Sequence, residues 1–159
     1  MTIEENRAAT SDSTPPSPTA TVLLADDDAD IRALLAHALR REGYKVIEAA
    51  DGAEILDHIG GALLFDDPTR PDIIVSDVRM PGFAGTGILA GLRSSNWDTP
   101  FVLMTAYGGA QFDEEAMALG ADAVFKKPFD VDAMLTVIGE LLSPERARRR
   151  PFPASKPGD

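Results

Sequence analysis

Ile73-Ile74-Val75-Ser76-Asp77-Val78-Arg79-Met80-Pro81-Gly82 opens with three β-branched residues and breaks at a Pro-Gly pair. A run without polar alternation is buried on both faces, the habit of a strand inside a parallel sheet covered by helices on each side. The first carboxylate after that run is Asp77. Open parallel sheets bind their ligands beyond the carboxyl ends of the strands. Asp77 therefore stands where chemistry is expected.

Outward from this strand the same alternation repeats. Thr21 to Ala25 is a short apolar run ending in Asp26-Asp27-Asp28. Ile31, Leu34, Leu35, Ala38 and Leu39 come next at helical spacing, Asp28 or Asp30 serves as cap, and Gly43 stops the helix. Tyr44 to Ala49 reads as the second strand, and Asp51 caps a helix from Ala53 to about Ile59. Gly60 to Arg70 is then a connection longer than a compact α/β unit needs.

Beyond Gly82, a helix is expected over Gly85 to Arg93 and a fourth strand over Phe101 to Met104. A short helix is expected over Glu114 to Leu119, stopped by Gly120, and Ala123-Val124-Phe125 is the fifth strand. Asp130 caps a last helix whose apolar face is Val131, Met134, Leu135, Ile138, Leu141 and Leu142. Five strands alternating with five helices predict an α/β fold. The expected form is a flavodoxin-like three-layer sandwich, its five-stranded parallel sheet ordered 2-1-3-4-5.

At 44% hydrophobic and 26% charged, the 159 residues have the composition of one ordinary globular domain. The net charge is −11 and unevenly placed. Residues 1–20, rich in Ser, Thr and Pro, carry −2 and are expected to form a disordered leader. Residues 143–159, with four arginines and four prolines, carry +3 and form a basic tail. The domain between, 21–142, holds −12. Such an acidic body argues against nucleic acid as partner and for a bound cation. No apolar run reaches the roughly 20 residues that span a bilayer, and the first residues lack the basic and apolar segments of a signal peptide. A cytoplasmic protein is expected, with no membrane contact. The absence of cysteine excludes disulfides, zinc–thiolate sites and thiol chemistry.

The strand ends then converge. The expected order brings Asp26 and Asp27, Asp77, Thr105 and Lys127 to one edge. Three carboxylates repel one another and raise each other's pKa, which a hard divalent cation such as Mg²⁺ relieves. Phosphoryl transfer needs an in-line nucleophile with positive charge and donors around the equatorial oxygens. Asp77 supplies a nucleophilic carboxylate, Lys127 and Mg²⁺ supply charge, and Thr105 supplies a hydroxyl. Ala106 is small and leaves room for an incoming donor.

Four segments in this order resemble the receiver domain of two-component response regulators. They are residues 22–28 (VLLADDD), 73–82 (IIVSDVRMPG), 102–108 (VLMTAYG) and 120–129 (GADAVFKKPF). The resemblance covers residues 21–142 and implies a stand-alone receiver. Asp77 matches the family's phosphoacceptor, Asp27 the acid that binds Mg²⁺ directly, and Asp26 the neighbour that acts through water. The backbone carbonyl of Arg79 falls at a further metal-ligand position. Thr105 matches the switch hydroxyl and Lys127 the phosphoryl-binding lysine, with the Lys127-Pro128 peptide bond expected cis.

Val124 departs from the family, which usually has an aromatic there that turns inward with the threonine. Phosphorylation is still expected to draw Thr105 inward, with the surface of the last helices changing by another route. Arg79 and Tyr107 occupy positions that in the family flank the water's path to the phosphoryl group. Both are large, which predicts slow self-hydrolysis. The resemblance implies a histidine kinase or histidine phosphotransfer protein as donor and a protein as downstream target. Homodimers through the fourth helix are common in that family.

Two other functions compete with this one. A phosphatase with an aspartyl nucleophile commonly has a second acid two residues on, where this chain has Arg79. A non-phosphorylated scaffold would have lost part of the acidic pocket. His37 and His58 have no metal-spaced companions, Trp97 reads as a packing residue, and the glycines at 82, 85 and 87 form no dinucleotide fingerprint. P-loop, G-x-S-x-G and H-E-x-x-H motifs are absent.

Overall fold

A computed structural model describes residues 19–65 and 70–144. All but a few residues of the expected leader and basic tail lie outside this range. The elements are β1 (Thr21–Ala25), α1 (Ala29–Arg41), β2 (Lys45–Ala49), α2 (Gly52–Phe65) and β3 (Ile73–Asp77). They continue with α3 (Gly85–Ser94), β4 (Phe101–Thr105), α4 (Ala110–Leu119), β5 (Ala123–Lys126) and α5 (Val131–Leu141).

All neighbouring strands pair in parallel, in the order β2-β1-β3-β4-β5. This is the expected flavodoxin-like order, with β1 and β3 flanking the switch point. Period-two alternation divides the apolar strand residues between two cores. Leu23, Ile74, Phe101 and Leu103 face Ile55, Ile88, Leu89 and Leu92 of α2 and α3. Val22, Leu24, Ile73, Val75, Val102 and Met104 face Leu35 and Leu39 of α1 and Met134, Ile138 and Leu141 of α5. Every residue of β3 and β4 is buried, as the unalternated run at 73–75 predicts.

Three helices start from aspartates. Asp28, rather than Asp30, caps α1 by accepting from the amides of Asp30 and Ile31. Asp130 caps α5 through Asp132 and Ala133. Asp51 accepts from the Glu54 amide at 2.9 Å while the Glu54 carboxylate reaches back to the Ala50 amide at 2.7 Å. Each such cap contributes about 1 kcal/mol.

Two helices exceed their expected bounds. Helix α2 runs on to Phe65 instead of ending near Ile59. Gly60 and Gly61 each cost about 1 kcal/mol in a helix, yet the good helix formers Ala62, Leu63 and Leu64 come directly after them. Helix α4 begins at Ala110, one turn before Glu114. In that first turn only Phe112 is partly buried, against the α2–α3 core, so a single apolar residue sets no period in the sequence. Gly120 closes it in the left-handed conformation, φ 109°.

Candidate functional site

Strand β1 delivers Asp26 at the carboxyl edge, fully buried, with the exposed Asp27 next to it. Strand β3 delivers Asp77, and β4 delivers Thr105. One carboxylate oxygen from each of Asp26, Asp27 and Asp77 lies within 4.8 Å of the others. Lys127, just past β5, donates from Nζ to Asp26 Oδ2 at 2.9 Å and to Asp77 Oδ2 at 3.1 Å. Strand-end position alone predicts these residues at one edge, where Lys127 meets Asp26 and Asp77 and Asp27 lies close by.

Secondary contacts fix their orientation. Asp26 Oδ1 accepts from the Asp28 amide at 2.9 Å, turning its other oxygen to Lys127. Arg32 donates to the Asp26 carbonyl at 2.7 Å and pairs with Glu48, tying α1 to the ends of β1 and β2. The Lys127 amide donates to the Thr105 carbonyl at 2.7 Å, and the peptide bond to Pro128 is cis as expected. Asp77 Oδ1 accepts a long bond of 3.4 Å from the Arg79 amide, which brings that backbone beside the Asp77 carboxylate. Helix α3 starts hard against the same strand end. A Cβ at Gly85 would collide with the Asp77 carbonyl and press on the Ser76 hydroxyl. Sequence reasoning does not single out Gly85 or Arg32 for this supporting part, because a glycine at a helix start and an arginine on a helix face are common everywhere.

Electrostatically the pocket is tense. Burial raises the Asp77 carboxyl above its ordinary 3.8, the Lys127 hydrogen bond opposes this, and the nearby Asp26 charge reinforces it. Burial works to lower the Lys127 ammonium, but its two carboxylate partners outweigh that and raise it above 10.5. Lys127 thus remains an ammonium. The donors around it are carboxylate oxygens, which suit a hard divalent cation rather than zinc or copper.

Thr105 is buried, but its hydroxyl turns to the loop after β4. It accepts from the Tyr107 amide at 3.0 Å and donates to the Tyr107 carbonyl at 3.2 Å. Ala106 is exposed beside it. The Tyr107 ring, 66% exposed, lies 4.6 Å from the Arg79 guanidinium, so the two side chains stack on each other. Val124 packs with the α2–α3 core, whereas Phe125 packs with the α1–α5 core and meets Phe129 edge to face. Phe125 is on the wrong face of the sheet to replace the missing aromatic. His37 and His58 are exposed, and Trp97 is buried under the Arg70 guanidinium.

Comparison with known proteins places the fold in a family. The model of the response regulator receiver domain matches residues 22–139. Sporulation initiation phosphotransferase F of Bacillus subtilis is 33% identical over 121 residues, covering 76% of this chain and 92% of that protein. The transcriptional regulatory protein PrrA of Mycobacterium leprae is 34% identical, but the match spans only 49% of its length. Among solved structures, the receiver domain of Francisella response regulator 1452 aligns with a TM-score of 0.73 at 29% identity, over 81% of this chain and 99% of that one. Chemotaxis protein CheY4 of Vibrio cholerae aligns with a TM-score of 0.66 at 32% identity, over 79% of this chain and all of that one. Among the described residues no helix is long and apolar enough to cross a membrane. The chain belongs to the response regulator receiver domain family.

Proposed function

We propose that this receiver domain accepts a phosphoryl group on Asp77 in a Mg²⁺-dependent reaction and signals through protein contacts. The observation that carries the reading is the Lys127 ammonium held between Asp26 and Asp77 at 2.9 and 3.1 Å. That cation and a metal on the Asp26, Asp27 and Asp77 oxygens would offset the charge of a transferring phosphoryl group. The Arg79 carbonyl, on the backbone next to Asp77, would be a further ligand. Bound Mg²⁺ would supply charge neutralisation at the phosphoryl oxygens.

The chain's own residues do the rest. Asp77 offers an oxygen to phosphorus while Lys127 steadies its other oxygen. The donor's nitrogen–phosphorus bond breaks as the aspartyl–phosphorus bond forms, and the donor is a histidine kinase or a histidine phosphotransfer protein. A phosphoryl oxygen then competes with the Tyr107 backbone for the Thr105 hydroxyl. Because that hydroxyl holds the start of the loop into α4, its release alters the α4 and α5 surface, to which a target protein binds. With Val124 in place of the aromatic, the Tyr107 loop itself carries the change.

Intact-protein mass after incubation with acetyl phosphate and Mg²⁺, beside Asp77→Asn, tests the reading. One phosphate on the wild type and none on the variant is the expected result. Labelling of neither would transfer the lead to a scaffold that no longer takes phosphate.

A further inference from the structure

Two depressions run along the seam between α1 and α5 and share Val131. The one at the carboxyl edge is about 300 Å³ and apolar, walled by Ile31, Leu34, Leu35, Pro128, Phe129 and Val131. The second, about 310 Å³, is polar and holds Arg41, Glu42 and Asp132 beside Ala38 and Leu135. Leu34 is 57% exposed at the first, a large aliphatic side chain left in water. The exposed acids Asp30 and Asp130 adjoin two lining residues, Ile31 and Val131.

The chain leaves α5 at the far end of this seam, after the exposed Pro144. The next nine residues are Glu145-Arg146-Ala147-Arg148-Arg149-Arg150-Pro151-Phe152-Pro153. They contain four arginines, then one aromatic between two prolines. We propose that residues 145–153 turn back along the α1–α5 seam, with the arginines against Glu42 and Asp132 and Phe152 in the apolar depression.

Reach, charge and volume all agree with this occupant. Val131 to Pro144 spans about 20 Å along the helix axis, and the eight residues 145–152, extended, cover about 26 Å. The tail's net charge of +3 meets a domain of net −12. The apolar depression has roughly twice the ~150 Å³ that encloses a benzene ring. The proline on each side of Phe152 limits the backbone freedom lost on seating it. The order of the tail matches the order of the seam: basic residues reach the polar depression first, and the aromatic reaches the apolar one beyond.

The apolar seat adjoins the candidate site. Lys127 and Pro128 line the same apolar depression, so Phe152 stands beside the phosphoacceptor pocket. The contact depends on tail charge, and salt weakens it.

Because the chain has no cysteine, Ala154→Cys in the full-length protein accepts a single nitroxide label. Amide signals are then compared between the oxidised and reduced label, without metal or phosphodonor. Expected is loss of signal at residues 31–35 and 128–135, unchanged on dilution and abolished by adding Phe152→Ser. Four results would overturn the proposal: uniform loss, loss at another face, loss that falls on dilution, or loss that survives Phe152→Ser. The third would assign the seam to a second copy of the chain. Since no phosphoryl chemistry enters the experiment, its failure and the failure of Asp77 labelling are separate outcomes.

Discussion

Helix α5 starts from an aspartate cap and buries Met134, Ile138 and Leu141, whereas α4 starts at Gly109 without a side-chain cap and buries Ala116 alone. The pocket divides the same way. On the α1–α5 side, Asp26, Asp77 and Lys127 are locked by two ion pairs, and Arg32 and Asp28 secure the Asp26 backbone and carboxylate. On the α4 side, Thr105 is joined to an exposed loop through one hydroxyl, and Gly108-Gly109 come directly after. Local opening is cheapest where few apolar contacts hold an element. Residues fit for chemistry thus sit on the fixed half of the edge, and those fit for response sit on the loose half.

Lys127→Met tests the fixed half most severely. It leaves two buried carboxylates without their ammonium, at a cost of about 1–3 kcal/mol for each desolvated group left unpaired. Thermal melts should fall well below the wild type, and Mg²⁺ should raise the variant's melting temperature more than the wild type's. Equal melts without metal would mean the ion pairs hold nothing.

A pH series in EDTA sharpens the same point. The folded Asp77 carboxyl titrates above 3.8, so over that interval the folded protein keeps a proton the unfolded chain has lost. Its stabilising contribution is complete below 3.8 and disappears as pH rises through the folded value. Denaturant melts of wild type minus Asp77→Asn should show stability declining across that window. A difference that grows with pH would contradict the burial argument.

The same physical terms decide how much of the molecule is legible in its sequence. The apolar runs at 22–24, 73–75 and 101–104 and the carboxylates after them can be read directly, because burial on both faces and strand-end chemistry write themselves into residue type. The stack of Arg79 on Tyr107 cannot, although both residues are expected to crowd the mouth, since a cation–π contact leaves no spacing signal. The first turn of α4 escapes sequence reading because Phe112 is its one partly buried side chain, and with Ala116 the one buried residue the same sparse packing makes that helix the loose one. At Gly60-Gly61 a propensity rule ends α2 too early, and the helix formers after the glycines override it.

A smaller effect is expected from that stack. Arg79→Ala with Tyr107→Ala opens the mouth of the pocket, so phosphate on Asp77 should be lost faster, as read by the decay of intact phosphoprotein mass after donor removal. An unchanged decay would show that these side chains do not shield the phosphoryl group from water.

Amide hydrogen exchange across both halves, before and after phosphorylation with acetyl phosphate and Mg²⁺, tests the account most directly. Exchange at residues 105–120 should change, that at 130–141 should change less, and Thr105→Ala should suppress the α4 response while still accepting phosphate. A response confined to α5, or an α4 response that survives Thr105→Ala, would contradict it.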